Sequence, residues 1–271
     1  MTSTTDGTRD VRGTSLEVTS PADGSSVARL SVDLPSDVAR KAADLRNAQP
    51  EWEELGPHAR GKVLLTWLDW IMDHEEHLTE LIQSETGKSW GDAAFEPYTA
   101  VDVVKYVAAN AARWLSDQHP RVHSPAFVTK RLTVRYQPYQ LVGVILPWNM
   151  PLGMPMLDIP YALAAGAAVL SKPSEITPLA WSEAVRGWRE DINAPAVLDV
   201  AIGAGETGAA VVDEVDMVQF TGSTRTGRAI GVRAAERLIP CSLELGGKTR
   251  CSFWLMQMSI ALPRRLYGVR C

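Results

Sequence analysis

The chain of 271 residues is poor in cysteine and has no surplus of basic residues. Its three cysteines, Cys241, Cys251 and Cys271, are too few and too irregularly spaced for a disulfide framework or a zinc site. The formal net charge is −5, which argues against a nucleic-acid partner. His74 and His77 have no cysteine or further histidine nearby, so we expect no bound metal.

Long apolar segments are also missing. The longest run, residues 159–170, is too short and too rich in alanine and glycine to span a bilayer. The N-terminal residues lack the basic region and the apolar core of a secretory signal. We therefore expect a cytoplasmic protein with no membrane partner.

The first part of the chain predicts a tail, two strands and a helix. Residues 1–13 are polar and predict a disordered tail. Residues 15–33 alternate in character around a turn that contains Pro21, which is typical of two short strands. A helix is predicted to begin at Pro35, with Ser36 as its N-cap.

Helical spacing dominates the next hundred residues or so. Apolar residues recur at this spacing over residues 57–84 and again over residues 93–115. Trp67 and Trp70 fall on the first of these patterns, where packing in a core or an interface explains them better than ligand binding. Residues 129–136 alternate and contain β-branched side chains, which predicts an extended strand.

From residue 141 onward, strand patterns alternate with helix patterns. Residues 141–146 form a continuous apolar run, which is typical of a strand buried on both faces of a parallel sheet. Further strands are predicted at 168–171, 197–202, 217–221 and 241–245, and helices at 157–168, 179–190, 207–212 and 224–238. This alternation predicts an α/β fold with a doubly wound parallel sheet, whose ligands bind at the carboxyl ends of the strands.

Two glycine-containing turns follow predicted strands. Residues 220–224 end one strand and open a helix, so this turn either binds a phosphate through its backbone N–H groups or is simply a capped turn. Residues 203–208 fit the pattern G-x-G-x-x-G. No acidic residue ends a clean strand about 20 positions later, so a plain tight turn explains this pattern equally well.

Polar side chains follow three other strands, and each has two interpretations. Lys172 and Glu175 suit the ribose hydroxyls of a dinucleotide, or they form an exposed ion pair. Asn149 either donates to a developing oxyanion or occupies a turn. Glu244 stands between two leucines, where an apolar setting would suit a general base, or it is a surface residue at a strand end.

Four motifs occur in a fixed order along the chain. They are PWNMP at 147–151, KPSEITP at 172–178, FTGST at 220–224 and LELGGK at 243–248. Their order and spacing strongly resemble those of the aldehyde dehydrogenase superfamily, and ETGK at 85–88 resembles an early motif of the same family. The resemblance covers residues 15–248.

The resemblance implies a role for each matched residue. Asn149 would donate to the thiohemiacetal oxyanion, and Glu244 would activate the water that hydrolyses the thioester. Lys172 and Glu175 would hold the adenosine ribose, and Gly222 would contact the pyrophosphate. The other residues implied to lie at the cofactor are Pro147, Trp148, Gly205, Gly208, Phe220, Ser223 and Leu245.

The resemblance also implies an activity and an architecture. The parent enzyme would oxidise a small-molecule aldehyde, of a succinate-semialdehyde or broader kind, to a carboxylic acid. Glu175 would crowd a 2′-phosphate, which favours NAD without excluding NADP. The Rossmann-like NAD(P)-binding domain would comprise residues 14–125 and 140–248. An arm at residues 126–139 would carry the oligomerisation strand of a homo-oligomer.

The match has local and larger departures from the family. Met150 stands where an aromatic residue is common, and Ala167 where asparagine is common, but neither removes a catalytic group. From Thr249 the family's continuation is replaced by a basic, patternless stretch. Reading residues 249–271 in a shifted frame permits Pro-Met-Leu-Val-Leu-Ala-Asp-Ala-Asp, the continuation expected of the family. We therefore expect this aberrant tail to be a frameshift product.

None of the three cysteines matches the family's nucleophile, which lies on its second, catalytic domain, so we expect that domain to be missing. The sequence thus leaves three hypotheses: an active dehydrogenase, a noncatalytic NAD-binding remnant, and a nonfunctional pseudogene product.

Overall fold

The structure is a computed structural model of the chain, and it describes residues 15–247. The tail predicted at 1–13 and the aberrant segment at 249–271 lie outside the described residues, as does Lys248. The helices are α1 (Pro35–Glu54), α2 (Gly56–Asp73), α3 (Glu75–Thr86), α4 (Trp90–Trp114), α5 (Gly153–Ala165), α6 (Leu179–Arg186), α7 (Gly205–Glu214) and α8 (Thr224–Glu236). The strands are β1 (Ser15–Thr19), β2 (Ser26–Ser31), β3 (Leu141–Ile145), β4 (Ala168–Lys172), β5 (Leu198–Val200), β6 (Met217–Gly222) and β7 (Cys241–Leu245).

Five strands form a parallel sheet in the order β5-β4-β3-β6-β7. Every residue of β3 and β4 is buried, and because side chains alternate between faces, both faces of the sheet must be covered. A Cβ at Gly143 would lie 3.0 Å from the side chain of Val215, so the glycine lets α7 pack close to the central strand. The predicted doubly wound α/β fold is confirmed.

The N-terminal strands and helix follow the prediction, except at the helix cap. β1 and β2 pair antiparallel, as expected from residues 15–33. Helix α1 begins at Pro35, but its N-cap is Leu34, so the prediction of Ser36 as the cap is wrong. The Leu34 N–H donates to the carboxylate of Asp37 at 3.1 Å, and this bond replaces a cap by Ser36.

The helical pattern over residues 57–84 is two helices rather than one. The break is at His74, whose backbone angles of φ −110° and ψ 17° are not helical. The His74 Nδ1–H donates a hydrogen bond to the carbonyl oxygen of Trp70, 2.8 Å away, and the His74 ring stacks on the Trp70 indole. Hydrophobic spacing continues across the break, which is why the sequence does not reveal it.

Four fully buried tryptophans join the helical layer to the sheet domain. Trp67 contacts Trp181 and Trp188 edge to face, and Trp52 contacts Trp188 in the same manner. Each buried indole N–H donates to an oxygen, for example Trp67 to the carbonyl of Ala184 at 2.9 Å. The packing interpretation of Trp67 is confirmed, and Trp70 is buried as well.

The predicted strand at residues 129–136 is wrong within the described structure. The segment is exposed, and its pairing there is a single antiparallel bridge between Val134 and Gln118. A strand is stable only when a neighbour pairs with its backbone, and among the described residues that pairing is limited to this one bridge. Its role as an oligomerisation arm remains a prediction.

An ion pair closes the amino edge of the sheet. Arg46 of α1 donates to both carboxylate oxygens of Asp216 at 2.7 Å, just before β6. The same carboxylate accepts the N–H of Leu141 at 2.9 Å, at the start of β3. Asp216 thus links α1, β3 and β6 at the edge opposite the predicted site.

Candidate functional site

The predicted site residues follow the carboxyl ends of the parallel strands. β3 is the first strand of the sheet along the chain and lies at its centre, with β4 on one side and β6 on the other. The chain therefore reverses its winding direction between β3 and β6, and ligands of doubly wound sheets bind in the crevice that this reversal opens.

A cleft of about 570 Å³ lies at this position. Its walls come from the loop after β3, the ends of β6 and β7, and one side of α5. The residues that line it are Pro147, Asn149, Met154, Leu157, Asp158, Gln219, Thr221, Gly222, Glu244, Leu245 and Gly246. Five of the predicted site residues, from three separate motifs, are therefore brought together by the fold.

Lys172 and Glu175 lie at the end of the neighbouring strand β4. The Lys172 Nζ donates to a Glu175 carboxylate oxygen at 3.1 Å; Lys172 is almost fully buried, whereas about a third of the Glu175 side chain is exposed. Burial lowers the pKa of Lys172, although the carboxylate of Glu175 opposes the shift. Burial alone would raise the pKa of Glu175, but the charge of Lys172, together with a backbone hydrogen bond and the hydrogen bond from Lys172, outweighs burial and the net shift is downward.

The glycine-rich turn at residues 203–208 leads from β5 into α7. Gly205 is the first residue of α7 and is exposed, and Gly208 is buried in its first turns. A Cβ at Gly208 would lie 3.9 Å from the Lys172 side chain, so this helix starts beside the Lys172–Glu175 pair. Gly203, at φ 154°, needs the conformational freedom of glycine.

The turn after β6 is both a capped helix start and part of the cleft wall. The hydroxyl of Ser223 accepts the N–H of Thr226 at 3.2 Å, which makes Ser223 the N-cap of α8. The ring of Phe220 is buried against Gly222, where an added Cβ would lie 2.6 Å from it. Gly222 lines the cleft, so the capped turn leaves the interpretation of a phosphate site open.

Asn149 and Glu244 both line the cleft, and both are exposed within the described structure. Within residues 15–247 this exposure fits the interpretation of Glu244 as a surface residue at a strand end, because its leucine neighbours on the strand do not cover it. Trp148, beside Asn149, keeps 56% of its surface exposed, while its backbone carbonyl accepts a hydrogen bond from Thr177 at 2.9 Å.

Asp158 in α5 is a cleft residue that the sequence did not single out. Burial raises the pKa of its carboxyl, a hydrogen bond from Gln219 opposes this, and the charge of Glu244 adds to the rise. One of its carboxylate oxygens is buried and has no hydrogen-bond partner. An acidic residue inside the apolar pattern of residues 157–168 was the available signal.

The motifs, the fold and the cleft are similar to those of known proteins. The profile of the aldehyde dehydrogenase family matches residues 8–253. The chain belongs to the aldehyde dehydrogenase family. It is 34% identical to the mitochondrial succinate-semialdehyde dehydrogenase of Oryza sativa subsp. japonica over 242 residues, which are 88% of this chain and 45% of that protein.

Solved structures of the family superimpose on the same region. An aldehyde dehydrogenase from Brucella melitensis biovar abortus 2308 matches with a TM-score of 0.80 at 30% identity, covering 87% of this chain and 48% of that one. PnpE in complex with nicotinamide adenine dinucleotide also matches with a TM-score of 0.80, at 33% identity, covering 86% and 48%. The chain thus spans about half the length of the relatives that it matches.

Within residues 15–247 the structure offers neither a membrane-spanning helix nor a metal cluster. No helix in this range is long and apolar enough to cross a membrane. The same range contains no group of three or more histidine, cysteine, aspartate or glutamate side chains placed to hold a metal ion.

Proposed function

We propose that this chain binds NAD at the carboxyl edge of its sheet, as the cofactor-binding half of an enzyme that oxidises aldehydes to carboxylic acids. The observation that carries the proposal is that Asn149 and Glu244, from distant motifs, line one cleft. The Lys172–Glu175 pair at the adjacent strand end supports it.

The residues at this edge fit a dinucleotide. Glu175 is ionised and partly exposed, so its carboxylate is available to accept hydrogen bonds from ribose hydroxyls. Gly222 has no side chain to fill the cleft beside the N-terminus of α8, where backbone N–H groups favour a phosphate. The same carboxylate of Glu175 would repel a 2′-phosphate, so we propose NAD as the preferred cofactor over NADP.

The chemistry follows from what each side chain can donate or accept. NAD supplies the hydride acceptor when bound. The amide of Asn149 would donate to the substrate oxygen as negative charge develops there. The carboxylate of Glu244 would accept a proton from the water that supplies the second oxygen of the acid product. The substrate we propose is a small aldehyde, of which succinate semialdehyde is the first to test.

The thiol nucleophile of this chemistry is not Cys241. Cys241 opens β7 and so lies at the amino edge of the sheet, away from Asn149 and Glu244. Burial also raises the pKa of its thiol, which disfavours the reactive thiolate. Cys251 and Cys271 lie outside the described residues. Aldehyde oxidation is therefore proposed for the parent enzyme, and NAD binding for this chain.

Thermal unfolding of the full chain with and without NAD tests the proposal. Ligand that binds the folded state at a hundredfold excess over Kd stabilises it by about 2.7 kcal/mol. We expect a cooperative transition whose midpoint temperature rises with NAD and rises less with NADP. In Glu175→Ala, NAD should no longer raise this temperature. A cooperative transition unaffected by NAD would refute NAD binding, and the absence of any cooperative transition would favour a nonfunctional product.

We further propose that residues 249–271 are translated in a shifted reading frame. The permitted codons for this stretch support it, because one permitted coding, read in the alternate frame, gives the family's own continuation. Sequencing the gene through the codon of Lys248 and the following few hundred nucleotides tests this. A shifted frame that continues into a cysteine-bearing domain is expected, and a gene with no such frame would refute the frameshift and favour a noncatalytic NAD-binding protein.

A further inference from the structure

Two buried carboxyl groups come from the helices α3 and α4 and reach the sheet domain. Glu85 in α3 is 1% exposed, and Glu96 in α4 is fully buried. Unpaired carboxyl groups are rarely buried, because losing water costs them several kcal/mol unless hydrogen bonds replace it. Both side chains accept such bonds from backbone N–H groups at the starts of α5 and α6.

Glu96 holds the start of α5, which follows the loop that carries Asn149. One of its carboxylate oxygens accepts two backbone N–H groups, from Leu152 at 3.0 Å and from Gly153 at 2.9 Å. The other oxygen forms an ion pair with Lys88. The loop after β3 therefore ends, three residues beyond Asn149, on a charged and fully buried anchor.

Glu85 holds the start of α6 in the same way. Its two carboxyl oxygens accept the N–H groups of Leu179 at 2.7 Å and of Ala180 at 3.1 Å. Helix α6 follows the loop that carries Glu175, so this second anchor lies four residues beyond it. The segment that resembles the family's early motif, residues 85–88, thus supplies one anchor and the lysine that pairs with the other.

We propose that Glu85 and Glu96 are positioning residues of the nucleotide site. Glu85 fixes the end of the loop that carries Glu175, and Glu96 fixes the end of the loop that carries Asn149. This inference rests on the proposed function. The anchors act on the helix starts through the backbone. Helices α3 and α4, which contribute no residue to the cleft, would thereby set the spacing between the ribose and oxyanion ends of the site.

The test compares alanine and glutamine variants with a control that destabilises the opposite edge of the sheet. Glu96→Gln keeps one oxygen that can accept both N–H groups, and Glu85→Gln keeps one of its two acceptors, whereas Glu85→Ala and Glu96→Ala keep none. Arg46→Ala is the control, because it breaks the contact with Asp216 at the amino edge.

Two quantities are measured on the full-length chain: backbone hydrogen exchange, and the Kd for NAD by calorimetry. We expect Glu96→Ala to expose the amides of residues 150–154, and Glu85→Ala those of residues 176–181. Glu85→Ala should weaken NAD binding on the order of tenfold, the equivalent of about one lost hydrogen bond. The glutamine variants should retain most of the protection and affinity, and Arg46→Ala should leave both near the unsubstituted values.

Several outcomes would overturn the inference. Unchanged exchange in the alanine variants would do so, as would equal exposure of the two loops in Arg46→Ala. If the alanine variants do not fold, Glu85→Gln decides the question. Glutamine keeps one of the two acceptor oxygens, so only one of the amides of Leu179 and Ala180 must lose protection from exchange. Unchanged protection at both amides would refute the anchor. Failure of the unsubstituted chain to bind NAD would remove the proposed function, whereas hydrogen exchange needs no ligand and would still decide the positioning role.

Discussion

The hydroxyl of Thr177 donates a hydrogen bond to the carbonyl oxygen of Trp148 across 2.9 Å, although the two residues follow different strands. Thr177 is buried in the loop after β4, and Trp148 lies in the loop after β3. The bond joins the loop of Glu175 directly to the loop of Asn149. It adds to the bonds by which Glu85 and Glu96 fix the ends of these two loops.

Thr177→Val removes this bond while keeping the branched shape of the side chain. We expect the free energy of unfolding to fall by about 1 kcal/mol, because the Trp148 carbonyl loses its donor. NAD affinity should fall by a few-fold, since the two loops lose their register. Urea unfolding and calorimetry with NAD measure the two effects. Thr177→Ser keeps the hydroxyl and serves as the control, and an identical NAD affinity in the valine variant would argue against the link.

The stability of the chain should depend on pH through Glu85. Burial raises the pKa of this carboxyl from its ordinary value of 4.5 to about 8, against the backbone hydrogen bonds from Leu179 and Ala180 and with help from the charge of Glu96. The folded chain thus holds the proton more tightly than the unfolded chain. The stability from this group is complete below about pH 4.5 and is lost as the pH rises through about 8.

Urea unfolding from pH 5 to pH 8.5 measures this dependence, and Glu85→Gln tests its assignment. Glutamine does not titrate, so the variant should lose less stability than the unsubstituted chain as the pH rises. Parallel pH profiles for the two proteins would show that another group is responsible.

The ion pair between Arg46 and Asp216 should contribute to stability without affecting the site. Arg46→Ala removes both hydrogen bonds to the carboxylate, and each partner is only about one-third exposed. We expect a loss of about 1 kcal/mol in the free energy of unfolding, after allowance for solvent screening. Arg40→Ala is the matched control in the same helix, because Arg40 is exposed and its nearest carboxylate contacts are 3.7 Å and 3.8 Å long. A similar loss in both variants would contradict a specific role for the pair.

Asp158 should destabilise the chain when it is ionised. Burial raises the pKa of its carboxyl, and one of its oxygens is buried with no partner. Asp158→Asn should therefore increase the free energy of unfolding at pH 7 by about 0.5 to 1 kcal/mol, because a neutral amide costs less to bury. The gain should vanish below about pH 4, where both forms are neutral. Asp69→Asn, at an exposed position of α2, is the control, and a loss of stability in Asp158→Asn at pH 7 would refute this prediction.

Sequence patterns were sufficient for the sheet because its central strands are buried on both faces. Such burial leaves a continuous apolar run, and the run at 141–146 corresponds to β3 almost residue for residue. The edge of the site could be predicted for the same reason, since the parallel direction of the strands brings all their carboxyl ends together. That is why Pro147, Gly222 and Glu244, from distant motifs, line one cleft.

Other features depend on partners that are distant in sequence. The break at His74 interrupts no apolar pattern, and the surroundings of Glu244 depend on which elements cover β7 rather than on the leucines beside it. The strand expected at residues 129–136 has the right local composition, but its pairing in the described range is a single bridge. Glu85 and Glu96 are invisible as anchors in the sequence, because the N–H groups they bind lie 94 and 56 residues away.

The ion pair between Arg46 and Asp216 has a consequence for the order of events during synthesis. Arg46 precedes its partner by 170 residues, so at the usual 5 to 20 residues per second the ribosome adds Asp216 roughly 10 to 30 seconds later. Later in that interval β3 and β4 are synthesised and can pair, but the other edge of β3 has no partner until β6 follows. The edge of β3 that faces β6 therefore stays unpaired until the residues after Asp216 have been synthesised, and unpaired strand edges in incomplete chains are prone to aggregate.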